Sequence, residues 1–392
     1  MRLWLWLMVL SGALGGAIAP VAAAEQGPST LDCRGWSWEC PALIPRGESI
    51  DISLFRGMAD PSVRQDPASG RLWMAYSWPN MIVSRTPGVQ LHLARSDDQG
   101  DTWTYDSTLF TNPLIRNPIT GRMNYVSNEV IDLWPAAPFI WYSVRLVYLI
   151  DPGQSIYAQP TSWHFRVSRA IGPRELPDAA EARLGFGATD ARYGVDVSLP
   201  SLSPELAGCV LFNEPSIITT GGAVYLAAQC LWANSGGMAP QSDFYALFST
   251  SAEGAPSTWV WRYVGKLAGP AEARELDNHE KWVQLNLSKG PNGTFRAVFT
   301  PTNFDPSFQM DAHSGCKMLE LISLDPPVWR RDANGQLVTL ASITSSDNPY
   351  PGPAACAYDP ASSTGVLMTR RPTMSGPPQG WSWVIHRTGL RP

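Results

Sequence analysis

One pattern returns along this chain at long intervals, and it limits the fold more than any other feature. Asp60-Pro61-Ser62-Val63 is followed by a turn at Gly70 and by Leu72-Trp73-Met74-Ala75-Tyr76-Ser77. Ala137-Pro138-Phe139-Ile140 precedes the run 146–150, and Glu214-Pro215-Ser216-Ile217 precedes Gly221-Gly222 and 224–228. Gly352-Pro353-Ala354-Ala355 precedes Gly365 and 366–368. The first two gaps between these prolines are 77 residues and the last is 138, twice 69. One more unit therefore belongs in the last gap. Trp282-Val283-Gln284-Leu285-Asn286, Asn292-Gly293 and 295–299 fill it without a proline. A third strand-like run follows in each unit, at 90–95, 163–168, 244–249, 317–322 and 381–387, with a weaker fourth such as 259–264.

Short runs rich in β-branched and aromatic residues between Gly and Pro turns are strand signals. Sheets of three or four such strands, repeated at a fixed period, bury their faces only by packing around an axis. The fold class expected is all-β, a five-bladed β-propeller of antiparallel sheets. The segment 48–55 alternates Ile50, Ile52 and Leu54 with polar residues, and is expected to supply the outer strand that closes the last blade. Units this long leave surplus residues for loops, where binding and catalytic groups concentrate.

The start of the chain reads as an address. Met1-Arg2, the apolar run 3–10 and a small-residue stretch ending in Ala22-Ala23-Ala24 follow the plan of a secretory signal peptide. The expected division is a signal peptide at 1–24, an N-terminal arm and ring-closing strand at 25–54, and the propeller at 55–392. Six cysteines lie after residue 24, which in an exported chain is a disulfide pattern. Fifteen connectivities are open; sequence order pairs 33 with 40, 209 with 230 and 316 with 356. No later apolar run reaches a membrane-spanning length. The net charge is −5 with no basic run, which argues against a nucleic-acid partner. The chain is expected to be secreted, extracellular or periplasmic, and monomeric.

Two resemblances follow from the motifs. Ser96-Asp97-Asp98-Gln99-Gly100-Asp101-Thr102-Trp103 resembles the Asp-box of sialidase-like propellers. There Ser96 and Asp98 would bond turn amides, Gly100 would take a turn conformation, and Trp103 would pack between sheets. The inner-strand repeats around Asp60 and Glu214 resemble five-bladed propeller glycoside hydrolases of the arabinanase and β-xylosidase type. That resemblance implies Asp60 as general base and Glu214 as general acid; Arg56, four residues before Asp60, is expected to position. Two carboxyl groups at matching places on two blades suit a reaction that protonates a leaving oxygen while activating water on the opposite face, inverting the anomeric centre. The family's third acid has no match: Phe139 stands there, with Asp132 or Glu129 as nearby substitutes. Glu214 also touches Pro215 directly, where the family places one residue between.

The function expected is a secreted carbohydrate-active protein, a glycoside hydrolase acting on a polysaccharide or glycoconjugate. A non-catalytic glycan- or protein-binding propeller is the alternative, and a sialidase a further one. The sialidase resemblance rests on Phe55-Arg56 and Asn213-Glu214, and needs three arginines for the sugar carboxylate. Arg56 and Arg370 or Arg371 qualify, but Gln229 stands where another is expected. Trp134 and Trp282 are candidate sugar-stacking residues, beside Arg56 and Arg370 as substrate ligands. No cofactor and no metal ligand set is expected; the central channel is the one place left for a structural calcium.

Overall fold

The computed structural model describes residues 28–34, 40–49, 57–79, 88–118, 120–152, 163–185, 195–234, 237–305, 310–345, 354–370 and 383–392. The expected signal peptide, Arg56, Arg371 and most of 48–55 lie outside them. Within them the fold is an all-β, mainly antiparallel propeller.

Four sheets have four strands or more. Sheet one holds Ala59–Gln65, Leu72–Pro79, Val89–Ser96 and Thr104–Phe110. Sheet two is built on the long hairpin Met123–Ala137 and Ile140–Ile150, followed by Trp163–Ala170 and Glu181–Gly185. Sheet three holds Cys209–Thr220, Ala223–Asn234, Phe244–Ser251 and Arg262–Ala268. Sheet four holds Lys281–Lys289, Phe295–Asp305, Cys316–Leu324 and Thr339–Thr344, and Ser29–Asp32 adds in parallel at its outer edge. Sheet five is narrower, with three strands: Ala354–Ala357, Leu367–Arg370 and Val384–Arg387. The expectation of five like blades is thus corrected to four full sheets and one of three strands. The inner strands of sheets one, two, three, four and five each contact the next, and the fifth contacts the first.

Three further expectations shift. Among the described residues, 41–43 reaches the outer edge of sheet five: Ala42 bridges His386, and the Leu43 amide donates to the Ile385 carbonyl at 2.8 Å, while most of 48–55 lies outside them. The same segment then runs to sheet one, where the Arg46 carbonyl accepts from the Tyr105 amide and the buried Glu48 carboxylate meets Tyr76 and His92. Pro138 and Phe139 form the hairpin turn of sheet two, with Phe139 exposed, so the inner-strand motif of that sheet is 129–132. An eight-residue α-helix, Pro270–Asp277, was not foreseen either.

All three disulfides follow sequence order, Cys33–Cys40, Cys209–Cys230 and Cys316–Cys356. The second ties the inner hairpin of sheet three. The third joins sheet four to the narrow sheet five, closing a separation of 40 residues. The segment 96–103 folds back on itself: Gly100 donates to the Ser96 hydroxyl at 2.8 Å, Thr102 to Asp98 at 2.9 Å, and the Trp103 indole to the Gly100 carbonyl at 3.0 Å. Hydrogen bonds from the Thr102 hydroxyl, the Thr102 amide and the Ser96 hydroxyl hold the Asp98 carboxyl down at about 2.

A polar relay joins the inner strands. The Ser62 hydroxyl of sheet one accepts the Leu133 amide of sheet two at 2.9 Å. Asp132 of sheet two accepts the Ile217 amide of sheet three at 2.9 Å. Ser216 of sheet three accepts the Leu287 amide of sheet four at 2.9 Å, and Asn286 of sheet four accepts the Tyr358 amide of sheet five at 3.3 Å. Sheet five offers Ala357 at the matching place, so the return to sheet one uses Asp359, which accepts the Gln65 amide at 3.1 Å. At the centre lies a buried ion pair. Asp132 accepts from Ser62, Arg64, Asn286, Ser216 and the Ile217 amide. Arg64 also donates to the carbonyls of Val63, Leu287 and Tyr358. Its guanidinium therefore touches sheets one, two, four and five.

Removing one member of a buried, hydrogen-bonded ion pair leaves the other charge stranded, at about 3–5 kcal/mol. Asp132→Ala is expected to cost that much in urea unfolding. Ser216→Ala, which removes a neutral link, should cost about 1 kcal/mol. Equal losses in the two variants would show that the ion pair is not the centre of the network.

Candidate functional site

Every inner strand carries the same irregularity. Asp60, Val130, Glu214, Gln284 and Ala355 all have φ between 47° and 55°, and each lies in a break of strand register, within 59/62, 129/132, 213/216, 283/286 and 354/357. A β-bulge of this kind adds one residue and turns its side chain out of the alternation. The left-handed conformation costs about 1–3 kcal/mol at a residue other than glycine, and Val130, being β-branched, is the most strained of the five. Hydrogen bonds from neighbouring sheets hold the bulges. The Asp60 amide donates to the Thr369 hydroxyl at 3.1 Å, and that of Val130 to Ser77 at 3.1 Å. The Leu285 amide donates to the Tyr245 hydroxyl at 2.9 Å, and that of Ala355 to Gln284 at 2.8 Å.

The five bulges surround one depression, lined by Asp60, Val130, Glu214, Gln284 and Ala355, with Asp132 and Asn286 beneath them. Two of the five side chains are carboxylates, and they are the two the sequence singled out. Asp60 and Glu214 occupy the same structural position in sheets one and three. Asn213 donates its side-chain amide to Glu214 at 3.3 Å. The Tyr245 hydroxyl is pushed up, first by burial and then by the Glu214 charge.

The two named substitutes for the missing acid separate clearly. Asp132 belongs to the axial network and is buried there. Glu129, one residue before the Val130 bulge, accepts a hydrogen bond from the Tyr148 hydroxyl. Burial, reinforced by the Asp60 charge, raises its carboxyl to about 7. Glu129 is not among the residues that line the depression, but its carboxyl is close enough to feel the Asp60 charge and is held protonated to about pH 7.

The other candidates fall elsewhere. Trp134 is buried, donates to the Thr219 hydroxyl at 2.9 Å and lies under the Arg64 and Lys289 cations. Trp282 is buried against Phe299 and Trp329. Neither ring offers a face to solvent, because the flat aromatic surfaces fill the space between sheets. Arg370 is buried at the end of its strand, one residue after the Thr369 that holds Asp60. Among the described residues no group of three or more His, Cys, Asp or Glu gathers as a metal site, and no helix is long and apolar enough to cross a membrane.

No protein-family model matches the sequence, and no curated protein matches it. Solved structures do. A family 117 glycoside hydrolase from the marine bacterium Zobellia galactanivorans superposes with a TM-score of 0.51 at 11% identity, over 88% of each chain. An α-L-arabinofuranosidase from Lactobacillus brevis gives 0.49 at 10% identity, over 87% of this chain and 93% of that one. The Bacillus subtilis arabinanase gives 0.43 at 10% identity, over 87% and 94%. The likeness to the first is one of fold.

Glu129 titrates where stability can report it. Its folded value, about 7, lies above the ordinary 4.5. The stability that its protonated form contributes is complete below pH 4.5 and is lost as pH rises through 7. The wild-type protein should lose up to about 3 kcal/mol across that window. In Glu129→Gln that part of the slope should vanish, as read by urea unfolding at pH 5 and pH 8. An unchanged slope in the variant would place the titration elsewhere.

Proposed function

We propose that this chain is a secreted glycoside hydrolase that inverts the anomeric centre, with Asp60 as general base and Glu214 as general acid. The observation that carries the proposal is the placement of both carboxylates at equivalent strained bulges, facing one depression. On this reading the narrow sheet five is the fifth blade, its outer edge completed by 41–43. The leader-like start and three disulfides support export.

The chemistry asks for two carboxyl groups in different protonation states on opposite sides of a glycosidic bond. Asp60 would take a proton from water as its oxygen attacks the anomeric carbon. Glu214 would give its proton to the departing oxygen, and the bond between that oxygen and the anomeric carbon would break. Glu129 would act as the third carboxyl in place of an acid at the Val130 bulge. Arabinose-containing polysaccharides are the first substrates to try, because arabinanases and arabinofuranosidases share the architecture.

The non-catalytic glycan-binding reading has one specific observation in its favour: the bulge of sheet two holds valine. A sialidase is less well supported, since Gln229 stands at the expected arginine and Arg370 is buried.

Release of reducing ends from arabinan and arabinoxylan should be measured for the wild-type protein, Asp60→Asn and Glu214→Gln. Each substitution should lower turnover by about 10²–10⁴-fold, and ¹H NMR of the first product should show the inverted anomer. Binding of these glycans without cleavage by the wild-type protein would leave the binding propeller as the correct reading. Cleavage of a fluorogenic sialoside instead would favour the sialidase.

A further inference from the structure

The face that sheet three turns toward sheet four carries an incomplete polar cluster immediately behind Glu214. Asn213 and Gln229 are direct cross-strand partners, and Gln229 is in turn opposite Tyr245. All three side chains therefore share one face of the sheet. That face points at sheet four, because the Tyr245 hydroxyl accepts the Leu285 amide from there.

In this cluster Asn213 uses its amide nitrogen on Glu214, but its buried carbonyl oxygen has no protein partner. Gln229 is 2% exposed, and its buried amide nitrogen has none either. On the opposite wall Trp282 packs on Phe299, whose ring lies 5.5 Å from that of Tyr245, and the buried Trp282 indole nitrogen is likewise unpartnered. One acceptor and two donors thus lie in one interface. Leaving each bare would cost about 1–3 kcal/mol. A buried water typically makes about three hydrogen bonds to such groups.

We propose that Asn213 is the positioning residue for the Glu214 carboxyl, and that a buried water shared with Gln229 fixes its orientation. The Gln229 N–H donates to the water, and the water donates to the Asn213 carbonyl oxygen. This leaves the Asn213 amide nitrogen only one direction, toward Glu214. The Trp282 indole is placed to give the water a second donor. The amide then favours the carboxylate form of Glu214 by donating to it. The inference rests on the reading of Glu214 as the acid, but its test does not need a substrate.

The experiment is a ¹³C NMR titration of glutamate carboxyl groups in the whole protein, with the Glu214 signal assigned by its loss in Glu214→Gln. Asn213→Ala and Gln229→Met should each move the Glu214 midpoint to higher pH, by about half a unit to one unit. If Asn213→Ala moves it and Gln229→Met does not, the relay through Gln229 is wrong. If neither moves it, the positioning role is wrong. Should either variant fail to fold, the wild-type protein decides at high crystallographic resolution. Density for a water within hydrogen-bond reach of Asn213 Oδ1 and Gln229 Nε2 is required, and its absence overturns the proposal. A protein that cleaves no glycan but shows these shifts would remove the hydrolase reading and leave the positioning geometry standing.

Discussion

The Arg64–Asp132 pair is the fixed point around which the inner strands are arranged. An isolated charge at 1–3% exposure would be prohibitively costly. The cost is offset only because both partners are surrounded by groups from other sheets. Asp132 alone gathers bonds from three of them besides its own. The pair therefore couples sheets that share no strand pairing, and it works only when all of them are in place. The relay around it has a direction, each polar side chain reaching the amide of the next inner strand. It is interrupted at Ala357, where no polar side chain exists. The molecule reinforces that joint in other ways: Asp359 and Thr369 reach sheet one, Cys316–Cys356 ties sheet five to sheet four, and 41–48 stitches its outer edge to sheet one. Gly57 belongs to the same closure, since a Cβ there would lie 1.9 Å from the Trp383 carbonyl oxygen.

The relay also explains why the side chains around the depression sit on strained backbone. Each relay residue lies two positions after a bulge: Ser62 after Asp60, Asp132 after Val130, Ser216 after Glu214, Asn286 after Gln284. The bulge lets a small polar residue face the axis within an otherwise apolar strand. The residue it displaces is turned toward the depression. In sheets one, two, four and five the bulge is held by hydrogen bonds between neighbouring sheets, one of which the Gln284 side chain supplies by accepting the Ala355 amide. The side chain at the bulge differs from sheet to sheet: aspartate, valine, glutamate, glutamine and alanine. A ring of five equivalent backbone positions is a scaffold on which two carboxylates can face one depression.

Much of this was legible in the sequence, and each failure has a physical cause. Sheets one and three were found by a proline next to the bulge, sheet five by Pro353 two residues before it, and sheet four by its apolar run. In sheet two the proline signal pointed to Pro138, which merely turns a hairpin. The better signal was a single polar residue between apolar ones, as in Pro61-Ser62-Val63, Ile131-Asp132-Leu133, Pro215-Ser216-Ile217 and Leu285-Asn286-Leu287. That pattern has a physical reason, the relay, whereas the proline only tolerates the backbone. Asp60 and Glu214 were legible because their bulges also carry proline. Trp134 and Trp282 were misplaced because an aromatic residue near a site reads the same whether it stacks on a ligand or fills a core. The edge strand at 41–43 was missed because three residues carry no alternation to detect.

Val130 shows what the scaffold demands and what it leaves open. A valine in the left-handed region is strained, so this position is kept for its backbone. Its side chain brings no charge between Asp60 and Glu214. The nearby acid, Glu129, lies one residue earlier, outside the bulge geometry, and needs the Tyr148 hydroxyl to hold it. Its burial keeps it mostly protonated below about pH 7, so in that range it adds little negative charge beside Asp60. On the hydrolase reading this has a consequence for Asp60. A base must be ionised to accept a proton from water, and a second carboxylate close by would resist that ionisation. A neutral Glu129 removes the resistance. Ionisation of Glu129 above neutrality would restore it and bring negative charge toward a reacting centre where positive charge develops. The protonation state of a residue that is neither the base nor the acid would then set how the two divide their work.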